Sequence, residues 1–151
     1  MSVEKNSFGG FDNVLRTGLG ARLAPEAKTL LEMMAEDCVF EMPYAPPGFV
    51  HRIDGRDALE RYLTALPGLI SIDDMFDLRI HETTNPGTVI LEFRGSGKGC
   101  TGAPYDQQWI SVIETSDGRI VRYVDYWDPL ITLNAVGDAR PEPEGEGFTR
   151  A

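Results

Sequence analysis

Two hydrophobic rhythms divide the chain, a helical one as far as Leu66 and a period-two one beyond it. Phe11, Val14, Leu15 and Leu19 form a helical stripe over Phe11–Leu23, weakened by Gly18 and Gly20. Pro25 suits a first helical turn, and the apolar pairs Leu30/Leu31 and Met33/Met34 extend a second helix over Pro25–Glu36. Cys38 to Pro43 then reads as a strand ended by proline, followed by a Pro-rich loop over 44–50. Asp54 is placed to cap a third helix, Arg56–Leu66, which carries Leu59, Tyr62, Leu63 and Leu66 on one side and stops at Pro67-Gly68.

After this point Phe76, Leu78 and Ile80 alternate with Asp77, Arg79 and His81, and Asn85-Pro86-Gly87 makes a turn. Further strands are predicted over Thr88–Gly95, Tyr105–Thr115 and Arg119–Trp127, with Ser116-Asp117-Gly118 as the hairpin between the last two. Gly95-Ser-Gly-Lys-Gly99 lacks the spacing of a phosphate loop and precedes no helix, so it reads as a bulged or looped strand end. The rhythm switches once and does not switch back. The expected fold is α+β: a cone-shaped, curved antiparallel sheet packed against N-terminal helices and enclosing one cavity at its open end. Residues 1–10 read as a flexible lead, 11–137 as a single domain, and 138–151, with PEPEGEG, as a flexible polar tail.

Composition narrows the class. With 151 residues, 42% hydrophobic and 25% charged, the chain has the makeup of one globular domain with a real core. Its 14 basic and 24 acidic side chains sum to −10, which opposes binding to nucleic acid or to anionic membranes. No apolar run approaches the roughly 20 residues of a membrane span. The N-terminus MSVEKNSFGGF lacks the apolar stretch of a secretory signal, and a cytoplasmic location is the expectation. Cys38 and Cys100 have no metal-ligand spacing and read as free thiols, and no metal or other cofactor is expected.

Among the titratable groups Asp125 stands out. A period-two strand puts it on one face with Tyr123 and Trp127, where aromatic surroundings disfavour the carboxylate and raise its pKa toward the range useful for acid/base work. A structural ion pair with Arg52 or Arg122 is the competing reading. His51 follows the Pro-rich loop and could carry a proton to Asp125, whereas His81 alternates with Ile80 and should face solvent. Tyr44, Trp109, Tyr123 and Trp127 are candidates for an aromatic wall that stacks a ring. Asp128, before Pro129, reads as a cap or turn residue. The partner face of strand 105–115 depends on the hairpin. A three-residue loop brings Trp109, Ser111 and Ile113 beside Asp125, while a two- or four-residue loop brings Gln108, Ile110 and Val112.

The order of elements, with Gly118-Arg-Ile-Val-Arg-Tyr-Val-Asp-Tyr-Trp-Asp-Pro129 as a final strand, resembles the SnoaL-like branch of the nuclear transport factor 2-like superfamily. The segments Ile80-His-Glu-Thr-Thr-Asn-Pro86, Gly95–Gly99 and Leu133-Asn-Ala-Val-Gly137 are similar to the phenazine-biosynthesis A/B proteins of that superfamily. The likeness is detailed over the last half of the chain and extends to the first half in layout. It implies a homodimer paired through the sheet and an acid/base carboxylate at Asp125, with His51 or Tyr44 assisting. Phe40, Met42, Trp109, Ser111, Tyr123 and Trp127 are then the substrate-facing positions. Phe40-Glu-Met-Pro43 resembles a ketosteroid isomerase segment, but Met42 stands where those enzymes carry their base. No Asp-Arg-Asp set like that of limonene-epoxide hydrolases is present either. The expected function is a cofactor-free enzyme acting on a small hydrophobic, cyclic or aromatic molecule by isomerisation, cyclisation or dehydration. The rivals are a carrier with the same pocket and an assembly subunit similar to the small subunit of ring-hydroxylating dioxygenases.

Overall fold

The computed structural model describes residues 7–151, so most of the lead assigned to 1–10 lies outside the described residues. Within them, Phe8 donates its backbone N–H to the Met75 carbonyl at 2.8 Å and packs against the core. The first helix, α1 (Phe11–Leu19), buries Val14, Leu15 and Leu19 and runs into a 3₁₀ turn over Gly20–Arg22.

The second helix expected over Pro25–Glu36 is reduced to one turn. It is α2 (Leu30–Met33), closed at its N-terminus by a capping box of Thr29 and Glu32. Strand β1 (Met34–Glu41) starts at once, because Met34, Cys38 and Phe40 gain more burial inside the sheet than a helix stripe offers. The Pro-rich loop also ends early, giving strand β2 (Val50–Asp54). Helix α3 (Arg56–Ala65) begins after Gly55 with no side-chain cap; Asp54, expected there, instead pairs with Arg52 at 3.0 Å.

The remaining strands are β3 (Ile70–Glu82), β4 (Thr88–Gly99), β5 (Gln107–Ser116) and β6 (Arg119–Trp127). A final helix, α4 (Pro129–Val136), was not anticipated as an element, although Asp128 caps it by accepting the Leu130 N–H at 2.9 Å. The end of the chain, read as a tail, folds back: β7 (Phe148–Arg150) pairs antiparallel with β2. The resulting seven-stranded curved sheet has the order β3-β4-β5-β6-β1-β2-β7. All neighbours run antiparallel except β1 and β6, which are parallel. The α+β architecture is as expected, with helices packed on one face and the hydrophobic core between them and the sheet.

Candidate active site

The hairpin joining β5 and β6 decides which side chains meet Asp125. Ser116 pairs with Arg119, so the loop is only Asp117-Gly118, with both residues at positive φ (52° and 78°) as a type I′ turn requires. Alone, that turn would align Gln108, Ile110 and Val112 with Asp125. The register instead slips by one between Glu114 and Thr115, where Val121 is the extra residue of a bulge. Beyond it Trp109 faces Trp127, Ser111 faces Asp125 and Ile113 faces Tyr123. The inward set is therefore that of the three-residue loop, reached through a two-residue turn plus a bulge.

This face of the sheet lines a cavity of about 410 Å³. Phe40, Met42, Trp109, Tyr123 and Trp127 contribute to its wall, as does Asp125. Phe40 and Tyr123 stack at 4.6 Å and 14°. Ser111 is fully buried behind the wall. Its Oγ–H donates to Asp125 Oδ1 at 2.9 Å, and the Tyr123 hydroxyl donates to Ser111 Oγ at 3.0 Å. Asp125 Oδ2 has no hydrogen-bond partner among the described residues.

Asp125 is only 5% exposed, and burial pushes its pKa from the usual 3.8 up to about 7, with the Ser111 hydrogen bond pulling in the opposite direction. Among the described residues no Lys, Arg or His lines the cavity. Arg122, one β-strand position away from the inward set, turns outward to Glu41 (3.2 Å) and Glu114 (3.4 Å). Arg52 is engaged with Asp54. The ion-pair reading of Asp125 is thereby removed.

Two expected catalytic partners are elsewhere. Tyr44 is 60% exposed and meets Tyr126 edge-on at 5.2 Å, on the opposite face of the sheet. That face carries an open groove of about 1090 Å³, with Ile110, Tyr126 and Glu92 among its walls. The groove is the larger concavity, but among the described residues no buried titratable group lines it. His51 lies on β2, half-buried, and does not line the cavity. Neither residue is brought to Asp125, because the turn at Pro43 carries Tyr44 to the outer face of the sheet beside Tyr126, and His51 is already inside strand β2. His81 is exposed and pairs with Glu92 at 2.5 Å, as its alternation implied.

In their place stand polar groups that the sequence reading assigned to the core or passed over. Tyr62 of α3, Tyr105 before β5 and Thr132 of α4 all line the cavity. Burial pushes both tyrosines up, and so does the nearby Asp125 charge, so each hydroxyl keeps its proton and remains a donor. Among the described residues Tyr62 OH has only the Met42 Sδ as partner, at 3.5 Å. A helical tyrosine on an apolar stripe gives no signal beyond core, which is why Tyr62 was missed. Trp109 stacks on Phe93 at 5.3 Å and is held edge-on by Phe11 and Tyr105. Among the described residues no three His, Cys, Asp or Glu side chains gather where they could hold a metal ion. Cys38 is buried, its thiol pushed up to about 11, and Cys100 is free and exposed. Among the described residues no helix is long and apolar enough to cross a membrane.

The sequence model of the SnoaL-like domain matches residues 21–123. An uncharacterized Bacillus subtilis protein, YesE, is 39% identical over 143 residues, 94% of this chain and 97% of its own length. A PhzA/B-like protein of Pseudomonas aeruginosa is 34% identical over 113 residues, covering 74% of this chain and 79% of its own. A crystal structure of a Bacillus subtilis protein, provisionally described as an isomerase, superimposes with a TM-score of 0.72 at 40% identity, covering 85% of this chain and 94% of that one.

Proposed function

The chain belongs to the SnoaL-like domain family, and on that premise we propose that it is a cofactor-free enzyme in which Asp125 moves a proton on a ring-sized substrate held in the inner cavity. One observation carries this reading: a carboxyl buried among aromatic rings, without a cationic partner among the described residues, whose pKa of about 7 lets it take and return a proton near neutral pH. Ser111 occupies Oδ1, so Oδ2 is the atom that meets the substrate. The Tyr62 and Tyr105 hydroxyls, kept protonated, are the donors for negative charge that develops on a substrate oxygen. Isomerisation, cyclisation and dehydration all need this equipment. A homodimer paired through the outer sheet face, where Ile110 is 47% exposed, and a cytoplasmic location complete the proposal. Sedimentation at micromolar concentration checks the dimer.

The test of the chemistry is a screen of cyclic and aromatic ketones, acids and amines followed by Asp125→Asn. The variant keeps the shape and the bond from Ser111 but has no proton to exchange, so turnover should drop roughly 10²- to 10⁴-fold with the fold intact. Undiminished turnover removes Asp125 from the reaction. Binding without turnover in the wild type selects the carrier.

A further inference from the structure

The electrostatics of the cavity identify the kind of molecule it holds. A buried carboxylate is stable only when its charge is paired and hydrogen-bonded. Asp125 has one neutral donor, Ser111, on Oδ1 and nothing on Oδ2 among the described residues. The titratable groups that face it come from α3, the segment before β5, and β6 itself: Tyr62, Tyr105 and Tyr123, all protonated well above neutral pH. β1 contributes Phe40, the turn after it Met42, β5 contributes Trp109, and α4 contributes Thr132, none of them charged. The nearest guanidinium on the same strand, Arg122, points away and is bound by two glutamates.

The cavity therefore contains half of an ion pair and a wall rich in aromatic rings. Ring faces attract cations, and they do so more strongly where water is excluded. An anion would meet a carboxylate with no base to offset it, and the net charge of −10 would oppose its approach. A neutral hydrocarbon would fill the space and leave Asp125 further desolvated.

We propose that the natural occupant is a hydrophobic organic cation, an amine or iminium compound with a ring, whose positive nitrogen sits against Asp125 Oδ2 while its hydrocarbon packs on Phe40, Tyr123 and Trp127. This rests on the proposed acid/base reading of the same site and names its substrate class. The cavity of about 410 Å³ suits a ligand of one or two rings.

Three probes whose charge does not titrate test it on the full chain: phenyltrimethylammonium, its neutral isostere tert-butylbenzene, and benzenesulfonate. Binding is read by calorimetry at pH 5.5 and 8.5. The ammonium ion binds the ionised carboxylate, so its apparent Kd should fall about thirtyfold between these pH values for a group titrating near 7. The isostere should show the opposite trend, and benzenesulfonate should not bind. In Asp125→Asn the ammonium affinity should be flat with pH while tert-butylbenzene still binds, which shows the cavity intact. Should that variant fail to fold, the wild-type comparison of the two isosteres decides alone. Ammonium binding that is absent, independent of pH, or no tighter than that of the isostere at pH 8.5 overturns the inference. A neutral substrate whose turnover needs Asp125, found alongside such a result, would sink this inference and leave the acid/base reading standing.

Discussion

At the scale of single residues, the protein places a carboxyl where ionisation is costly. The folded pKa of Asp125, about 7, lies above its ordinary 3.8, so the stability it contributes is full below the unfolded value and is lost as pH rises through 7. The loss is roughly 4 kcal/mol at alkaline pH, taking each pKa unit as about 1.4 kcal/mol. Asp125→Asn should therefore become steadily more stable than wild type between pH 4 and 7, and hold a constant advantage above. Denaturant titrations across that range check it, and a parallel pH dependence in both proteins would contradict it. Ser111 acts on the same proton from behind. Its hydroxyl lowers the Asp125 pKa, and it is the acceptor for Tyr123, so Ser111→Ala should move the Asp125 midpoint, on the acidic limb of a pH–rate profile, upward and cost about 1–3 kcal/mol through the stranded tyrosine hydroxyl. Ser111→Thr, which keeps the hydroxyl, should restore the midpoint. A purely structural role would change stability and leave the midpoint in place.

At the scale of elements, strand β4 shows how the sheet makes room for the site. Gly95, Gly97 and Gly99 alternate along it in one continuous strand; of the looped or bulged end that the sequence pattern suggested, there is no loop, and the irregularity is a one-residue shift at Asp73 of the facing strand β3, opposite Ser96 and Gly97. A Cβ on Gly95 would lie 2.7 Å from the Trp109 ring, and Cβ atoms on Gly97 and Gly99 would run into the backbones of Ser71 in β3 and Ala135 in α4. The glycines let the sheet bend sharply and α4 approach closely. Gly97→Ala should cost about 2 kcal/mol or more, because the obstacle is a backbone carbonyl in a paired strand and cannot yield as a side-chain tip would. A thermal midpoint within about 2 °C of wild type would refute this. The same strand explains what could be read in advance. The period-two alternation of β6 placed Tyr123, Asp125 and Trp127 together, and this survived because alternation depends on residues adjacent in sequence. The pairing of β5 with β6 turned on a bulge at Val121, whose side chain looks like any other strand valine. Leu30, Leu31, Met33 and Met34 fit a helical stripe as well as a strand start, and only the parallel partner β6 settles Met34 into the sheet. Helix α4 hides in an almost wholly apolar run with no polar face to betray its period.

At the scale of the whole molecule, the end of the chain returns to the cavity that its middle builds. Pro141 lines the cavity, and the segment around it is tied down at several points. The Arg140 guanidinium sits 4.5 Å from the centre of the Phe49 ring and donates to the Pro47 carbonyl at 3.2 Å. Arg61 of α3 donates to the carbonyls of Glu144 and Glu146, and β7 adds the last strand to the sheet. Phe49 is itself part of the cavity wall, so the proline loop and the C-terminal segment, tied together through Arg140, each contribute to that wall. The two tryptophans of the chain, Trp109 and Trp127, both line that cavity, which makes intrinsic fluorescence a direct report on it. Removing residues 138–151 deletes Pro141, the Arg140 contact and β7 together while leaving α4 whole. The truncated chain should melt roughly 5 °C lower or more, as loss of an edge strand and its contacts costs about 1–3 kcal/mol in a domain of this size. Its tryptophan emission should shift to the red and become more sensitive to acrylamide. Added alone, Arg140→Ala should give the same spectral change to a smaller extent, because it loosens the covering without removing the strand. Quenching equal to wild type in the truncated protein, with the expected loss of melting temperature, would mean that the C-terminal segment stabilises the sheet edge and does not close the cavity.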